Sequence, residues 1–224
     1  MVQTSPPATE VVRQIAPWQL GVLVAAPVVA LAARLLNTPW YQNDDDTPDN
    51  ARVLTEIAGS TVANDIGAVL TMVSGMLYVA AAVVLGLWVR SRMPRTATAG
   101  LVLASVGGFG LVAFGDQLMI IGQAARLEEH RGAMIALLQA SYDSPQAGIS
   151  YLLLVLGALG WVLLGVVLYR GRVVPRAAAV IVALGGAGVM VTAPGPAVSF
   201  IAGAAVISLV GMVWVLATQR QTEG

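Results

Sequence analysis

The sequence predicts an all-α integral membrane bundle of six transmembrane helices, with short amphipathic helices in its two long outer loops. Two observations carry that expectation. The 224 residues are 57% hydrophobic and only 11% charged, with a mean hydropathy of +0.78, whereas a soluble domain carries roughly 25% charged residues. Too few charged side chains remain to coat a water-facing surface, so lipid is the fitting solvent. The second observation is spacing. Charges cut the chain into uncharged stretches long enough to cross a bilayer, which takes roughly 20 apolar residues.

The spans follow in chain order. Between Arg13 and Arg34 lie 20 uncharged residues; Ile66 to Val89 gives 24, Thr96 to Gly115 gives 20, and Ser144 to Tyr169 gives 26. Ala177 to Gln219 gives 43, too long for one crossing, and Pro194-Gly195-Pro196 near its middle is a turn signal that divides it in two. The expected spans are residues 15–36, 66–89, 97–122, 148–169, 177–193 and 198–217, in one transmembrane domain over 1–224. Ala30-Leu31-Ala32 has the small-residue spacing of a leader cleavage site. However, Arg13 is the only basic residue before it and Pro27 interrupts the apolar run, so the first helix is expected to stay uncleaved.

The outer loops, 37–65 and 123–147, are not bare linkers. Within 50–63, Val53, Leu54, Ile57 and Val62 fall near one helical face, and within 124–141 so do Leu127, Met134, Ile135 and Leu138. Both segments read as short amphipathic helices that lie on the outer surface or cap the bundle, unless the second continues the third span.

Orientation follows from arginine. With the N-terminus inside, Arg13, Arg90, Arg92, Arg95, Arg170, Arg172, Arg176 and Arg220 are inner, while Arg34, Arg52, Arg126 and Arg131 are outer. That split favours cytoplasmic N- and C-termini. Asp44, Asp45, Asp46, Asp49, Glu56, Asp65, Glu128, Glu129 and Asp143 all fall outside. The short inner loops place Arg90, Arg92, Arg95, Arg170, Arg172 and Arg176 against anionic lipid headgroups. All twelve basic residues are Arg, a bias that suits a GC-rich bacterial genome and hence a bacterial plasma membrane. Trp40 and Tyr41 read as interfacial anchors.

A repeat is visible in the inner loops. Arg90-Ser91-Arg92-Met93-Pro94-Arg95 and Arg170-Gly171-Arg172-Val173-Val174-Pro175-Arg176 each give Arg-x-Arg, then Pro-Arg, then an Ala-rich helix. Duplication about an axis along the membrane normal is one origin. The other is the shared demand of tight inner loops for arginine and of helix starts for proline. The stretch Leu168-Tyr169-Arg170-x-Arg172-x-x-Pro175-Arg176 before an apolar helix resembles the late helices of a bacterial family of multi-helix membrane proteins of unknown function, with a matching layout over about residues 15–215. The resemblance implies an integral membrane bundle and no particular substrate, cofactor or catalytic residue.

Ionisable groups inside a membrane are the default functional candidates. Asp116 follows 20 uncharged residues and precedes Leu118-Met119-Ile120-Ile121, near the outer end of the third span. It is expected to form a structural ion pair with Arg34 or Arg126, to bind a proton or ligand, or to be solvated at the boundary. Asn64, Thr71, Ser74 and Tyr78, with Gly67 and Gly75, recur at helical spacing along the second span. That face is expected to hydrogen-bond between helices, or else to wall an outward-opening polar cavity. The candidate ligand set is Asp116, Tyr78, Ser74, Thr71 and Arg34. Asn43-Asp44-Asp45-Asp46-Thr47-Pro48-Asp49 lacks the glycine and distal glutamate of a calcium loop. His130, among Glu128, Glu129 and Arg131, reads as a surface histidine.

Composition closes off several chemistries. Cysteine and lysine are absent and His130 is the only histidine, which excludes thiolate metal sites, Schiff-base cofactors and a bis-histidine haem. No catalytic residue, metal site or cofactor is expected, and a net charge of zero makes nucleic acid an unsuitable partner. The expected partners are the lipid bilayer and either a small ligand or a membrane partner protein. The sequence favours a non-enzymatic protein that binds a small ligand, lipid or partner subunit; the alternative is a small-solute transporter or channel subunit with an outward-facing polar cavity. Chemistry would need a convergent cluster of titratable groups, which only the surroundings of Asp116 could offer.

Overall fold

The computed structural model describes residues 16–37, 49–142, 144–193 and 198–221. Trp40, Tyr41, Asp44, Asp45, Asp46, Asp143, Arg13 and the Pro194-Gly195-Pro196 turn lie outside the described residues. Within them every regular element is helical: α1 (Pro17–Leu36), α2 (Asn50–Gly59), α3 (Thr61–Val89), α4 (Pro94–Ala125), α5 (Arg131–Tyr142), α6 (Pro145–Gly171), α7 (Arg176–Thr192) and α8 (Val198–Gln221), with one 3-10 turn at Glu128–His130.

Local chemistry sets the starts. Pro17, Pro94 and Pro145 open α1, α4 and α6, where the missing N–H costs nothing and the fixed φ suits the first turn. Gln19 accepts from the Ala16 N–H at 2.8 Å, Asp49 from Arg52 at 3.0 Å and Ser144 from Ala147 at 3.3 Å, which satisfies orphan donors at three helix starts. α6 ends at Arg172, whose φ of 51° is left-handed, the conformation of a helix-terminating residue.

Four helices are long and apolar enough to cross a membrane: Pro17–Leu36, Thr61–Val89, Pro94–Ala125 and the Ala147–Gly171 portion of α6. α7 and the Ala202–Thr218 portion of α8 are shorter apolar helices. The long helices outrun the uncharged stretches that announce them, because a helix needs no apolar surface once it leaves hydrocarbon.

The six large helices form a closed ring. α1 packs on α3, α3 on α4, α4 on α6, α6 on α7, α7 on α8, and α8 returns to α1. Small residues allow the tightest seams. Gly107 of α4 and Gly157 of α6 meet backbone to backbone, so a Cβ on either would strike the backbone of the other helix. The core draws on the whole ring through Leu23, Ala68, Leu85, Ala104, Leu164, Val182 and Met212. The outward faces are apolar as well: Val28, Val69, Phe109, Leu159, Leu184 and Val210 are all exposed. Meanwhile Asn64, Ser74 and Ser208 are buried inside. Apolar outside and partly polar inside is the distribution of a bundle solvated by lipid.

α2 and α5 sit together at one end. Val53, Leu54 and Ile57 of α2 pack with Leu138 of α5 and with Ile121, Ala124 and Ala125 of α4. Asn50 donates to Gln139 at 3.1 Å and Arg131 donates to the Ala51 carbonyl at 3.0 Å. The expected faces of these segments differ in two places. Val62 and Leu127 are exposed, because the chain breaks at Ser60 and again at Arg126, which puts them outside the helices that share the buried face. The second amphipathic segment is thus a separate helix from Arg131, not an extension of α4.

Candidate functional site

The polar stripe of α3 turns inward. Asn64, Thr71, Ser74 and Tyr78 are all buried. The Asn64 side chain donates to the Leu118 carbonyl at 3.5 Å. The Thr71 hydroxyl donates to the Gly67 carbonyl at 2.8 Å and accepts from the Asn37 amide at 3.1 Å. The Ser74 hydroxyl donates to the Thr71 carbonyl at 2.7 Å. Both hydroxyl protons are therefore held by the helix itself, and lone pairs are what these groups offer to anything beside them.

Thr71 and Ser74 line a small crevice of about 20 Å³ with Arg34, Ala30 and Ala33 of α1, Leu111 and Phe114 of α4, and Val189 and Ala193 at the end of α7. The space is partly open, with room inside for about one water-sized group, so a larger ligand would enter by one polar end. It lies towards the end of the ring that carries α2 and α5, because α1 and α7 both run to that end before they stop.

Arg34 is the unusual member. It stands in the last turn of α1 and is only 6% exposed. Its guanidinium donates to the Ala193 carbonyl, and its central carbon lies 5.9 Å from the centre of the Phe114 ring. Its Nε has no hydrogen-bond partner. The ends of α1 and α7 supply partial negative charge, worth up to about 2 kcal/mol, and a desolvated cation–π contact supplies about 2 kcal/mol more. Removal of an ion from water costs several kcal/mol even after relaxation. The surrounding protein thus offsets much of the charge and leaves guanidinium donors over, since the group carries five N–H bonds.

Two sequence candidates fall elsewhere. Asp116 is not paired with Arg34 or Arg126. It is exposed on the outward stripe of α4, in line with Val102, Phe109, Ile120 and Gln123. The inward face of α4 runs through Leu111, Phe114 and Leu118, and each further residue turns about 100° away. Arg126 instead forms an ion pair with Asp65 on the surface, an arrangement worth about 0–1 kcal/mol. Tyr78 does not line the crevice. One turn beyond Ser74, it is fully buried, donates to Ser208 of α8 at 3.2 Å and meets Trp161 of α6 edge-on at 5.6 Å. Trp161 in turn lies on Gly186 of α7, where a Cβ would collide with the indole. Tyr78, Ser208 and Trp161 together close the ring below the crevice.

Four participants escaped the sequence reasoning. Phe114 and Ala193 carry no polar signal. Asn37 looks like loop, yet it is buried, and its Oδ1 lacks a partner. Ser208 did leave a signal, as the one hydroxyl within Val206-Ile207-Ser208-Leu209-Val210. The arginines assigned to headgroups, Arg90, Arg92, Arg95, Arg170, Arg172 and Arg176, are all exposed at the opposite end, where Arg176 also stacks over Tyr169 at 5.3 Å.

Comparison with known proteins adds one match. A family model described as "Domain of unknown function (DUF4386)" covers residues 20–219, and the chain belongs to that family. Neither a curated protein nor a solved structure matched the chain.

Proposed function

We propose that this member of the DUF4386 family is a six-span bacterial plasma-membrane protein with cytoplasmic termini. In this reading it holds a small ligand in the crevice of Arg34, Thr71 and Ser74, without performing chemistry on it. The observation that carries the reading is the buried Arg34, whose Nε is unpartnered beside open space. Counting α7 as a span rests on its place in the ring. Its 17 residues extend about 26 Å at 1.5 Å per residue, slightly less than a hydrocarbon core of about 30 Å, a mismatch that local thinning accommodates. Arg34 is the single ionisable group among the described lining residues, and acid–base catalysis calls for at least a second one in reach. The plug of Tyr78, Ser208 and Trp161 favours binding over a continuous pore, since a solute would have to displace a buried aromatic pair.

The absence of cysteine makes the test direct. Ser74→Cys, expressed in cells, should react with a small membrane-impermeant methanethiosulfonate added outside, and filling the crevice with Thr71→Leu should block the label. Reaction only after permeabilisation would refute the outward orientation, and no reaction under either condition would refute an open crevice.

A further inference from the structure

We infer that the occupant of the crevice is an oxyanion bearing a hydroxyl of its own, the chemistry of hydrogen phosphate or of a phosphoglycerol lipid headgroup. The inference rests on the crevice being a ligand site and adds what that ligand must look like.

Two walls of the crevice specify it. On one side Arg34 is more than nine-tenths buried, with one N–H donated to Ala193 and its Nε unused. No carboxylate among the described residues lines the space with it. A guanidinium with spare donors matches a carboxylate or phosphate in both charge and fork geometry. On the other side Ser74 and Thr71 have committed their protons to α3 carbonyls. Ser74 presents its lone pairs, and Thr71 the one left over beside the Asn37 amide, and lone pairs repel a bare oxyanion and attract a donor. An anion with no proton would satisfy Arg34 and face the α3 hydroxyls unfavourably. A neutral donor would satisfy the hydroxyls and leave Arg34 uncompensated. A group with anionic oxygen and an adjacent O–H answers both walls at once, and the apolar Leu111, Phe114 and Val189 lower the local polarity around both contacts.

The test uses full-length protein and separates the two sources. In phosphatidylcholine nanodiscs, thermal unfolding is followed with added inorganic phosphate, which keeps an O–H near neutral pH, and with sulfate, which has none. In a second arm, native mass spectrometry compares retention of phosphatidylglycerol and phosphatidylcholine. Expected is protection by phosphate over sulfate, or selective retention of phosphatidylglycerol, weakened about tenfold or more by Arg34→Gln and less by Arg34→Lys, which keeps the charge and loses the fork. The phosphate arm identifies a free anion and the lipid arm a headgroup. Melting of each empty variant shows that it is folded. Equal effects of sulfate and phosphate without lipid selectivity, or binding indifferent to Arg34→Gln, overturn the oxyanion assignment. If Ser74→Leu still displaces a different co-purifying molecule, the crevice stands as a ligand site and only the assignment fails. If Ser74→Leu displaces nothing from the wild-type complement, both readings fail.

Discussion

The half of the ring near the arginine turns and the half near α2 and α5 pack their interiors differently. Near the arginine turns, Leu85, Val89, Leu164, Val167, Leu168 and Val215 are fully buried, and the unpartnered polar atoms there are the neutral Trp88 Nε1 and Ser105 Oγ. Near α2 and α5 the interior holds Arg34, Asn37, Asn64, Thr71 and Ser74, with orphaned atoms on Arg34 and Asn37. In lipid, helix association is driven by close packing and only modestly by hydrogen bonds. The apolar half thus supplies the cohesion, and the polar half can tolerate a gap because it does not have to. The boundary is the contact of Tyr78 with Ser208 and Trp161.

Substitutions on the two sides should separate these roles. Trp161→Ala, which empties the boundary, should cost the most, roughly 3–5 kcal/mol, read as thermal unfolding in detergent; a loss under 1 kcal/mol would mean the halves are not mechanically distinct. Arg34→Met should move stability the other way. With no occupant present it removes an under-compensated cation, and the protein should be unchanged or more stable by about 1 kcal/mol. A large loss in the same melt would make Arg34 a structural anchor. Tyr78→Phe deletes one interhelical hydrogen bond, a change of about 0.6 kcal/mol in membrane bundles, and phosphate or lipid binding should be unaffected because Tyr78 is outside the crevice. Asp116→Asn should change stability least, within about 0.5 kcal/mol, and leave ligand protection intact; altered protection would tie the outward stripe of α4 to the crevice.

How much of this was legible in the sequence depended on the kind of signal. The apolar helices were readable because uncharged length is a one-dimensional property; four of them are long and apolar enough to cross a membrane, and the apolar parts of α7 and α8 are shorter. The inward stripe of α3 was readable because Asn64, Thr71, Ser74 and Tyr78 repeat at helical spacing. The partner of Arg34 was not. Charge pairing suggested Asp116 at a similar depth, yet depth does not fix azimuth, and Asp116 points away from the ring. What Arg34 found was a backbone carbonyl, and a carbonyl at a helix end leaves no mark in side-chain identity. The division of the polar stripe between crevice and plug was equally hidden, since it depends on which neighbouring helix each turn of α3 meets.

The closed ring has a consequence for biosynthesis. Arg34 and its acceptor Ala193 are 159 residues apart, and the seam of α1 with α8 joins the first and last large helices of the ring. At about 5–20 residues synthesised per second, Arg34 enters the bilayer roughly 8–30 s before the carbonyl that receives it exists. Through that interval its charge must be balanced by whatever the surrounding headgroups and solution provide. The arrival of α7 and α8 then brings the Ala193 carbonyl to Arg34 and closes the ring. Assembly order therefore leaves Arg34 without its carbonyl partner until the last of the six seams closes.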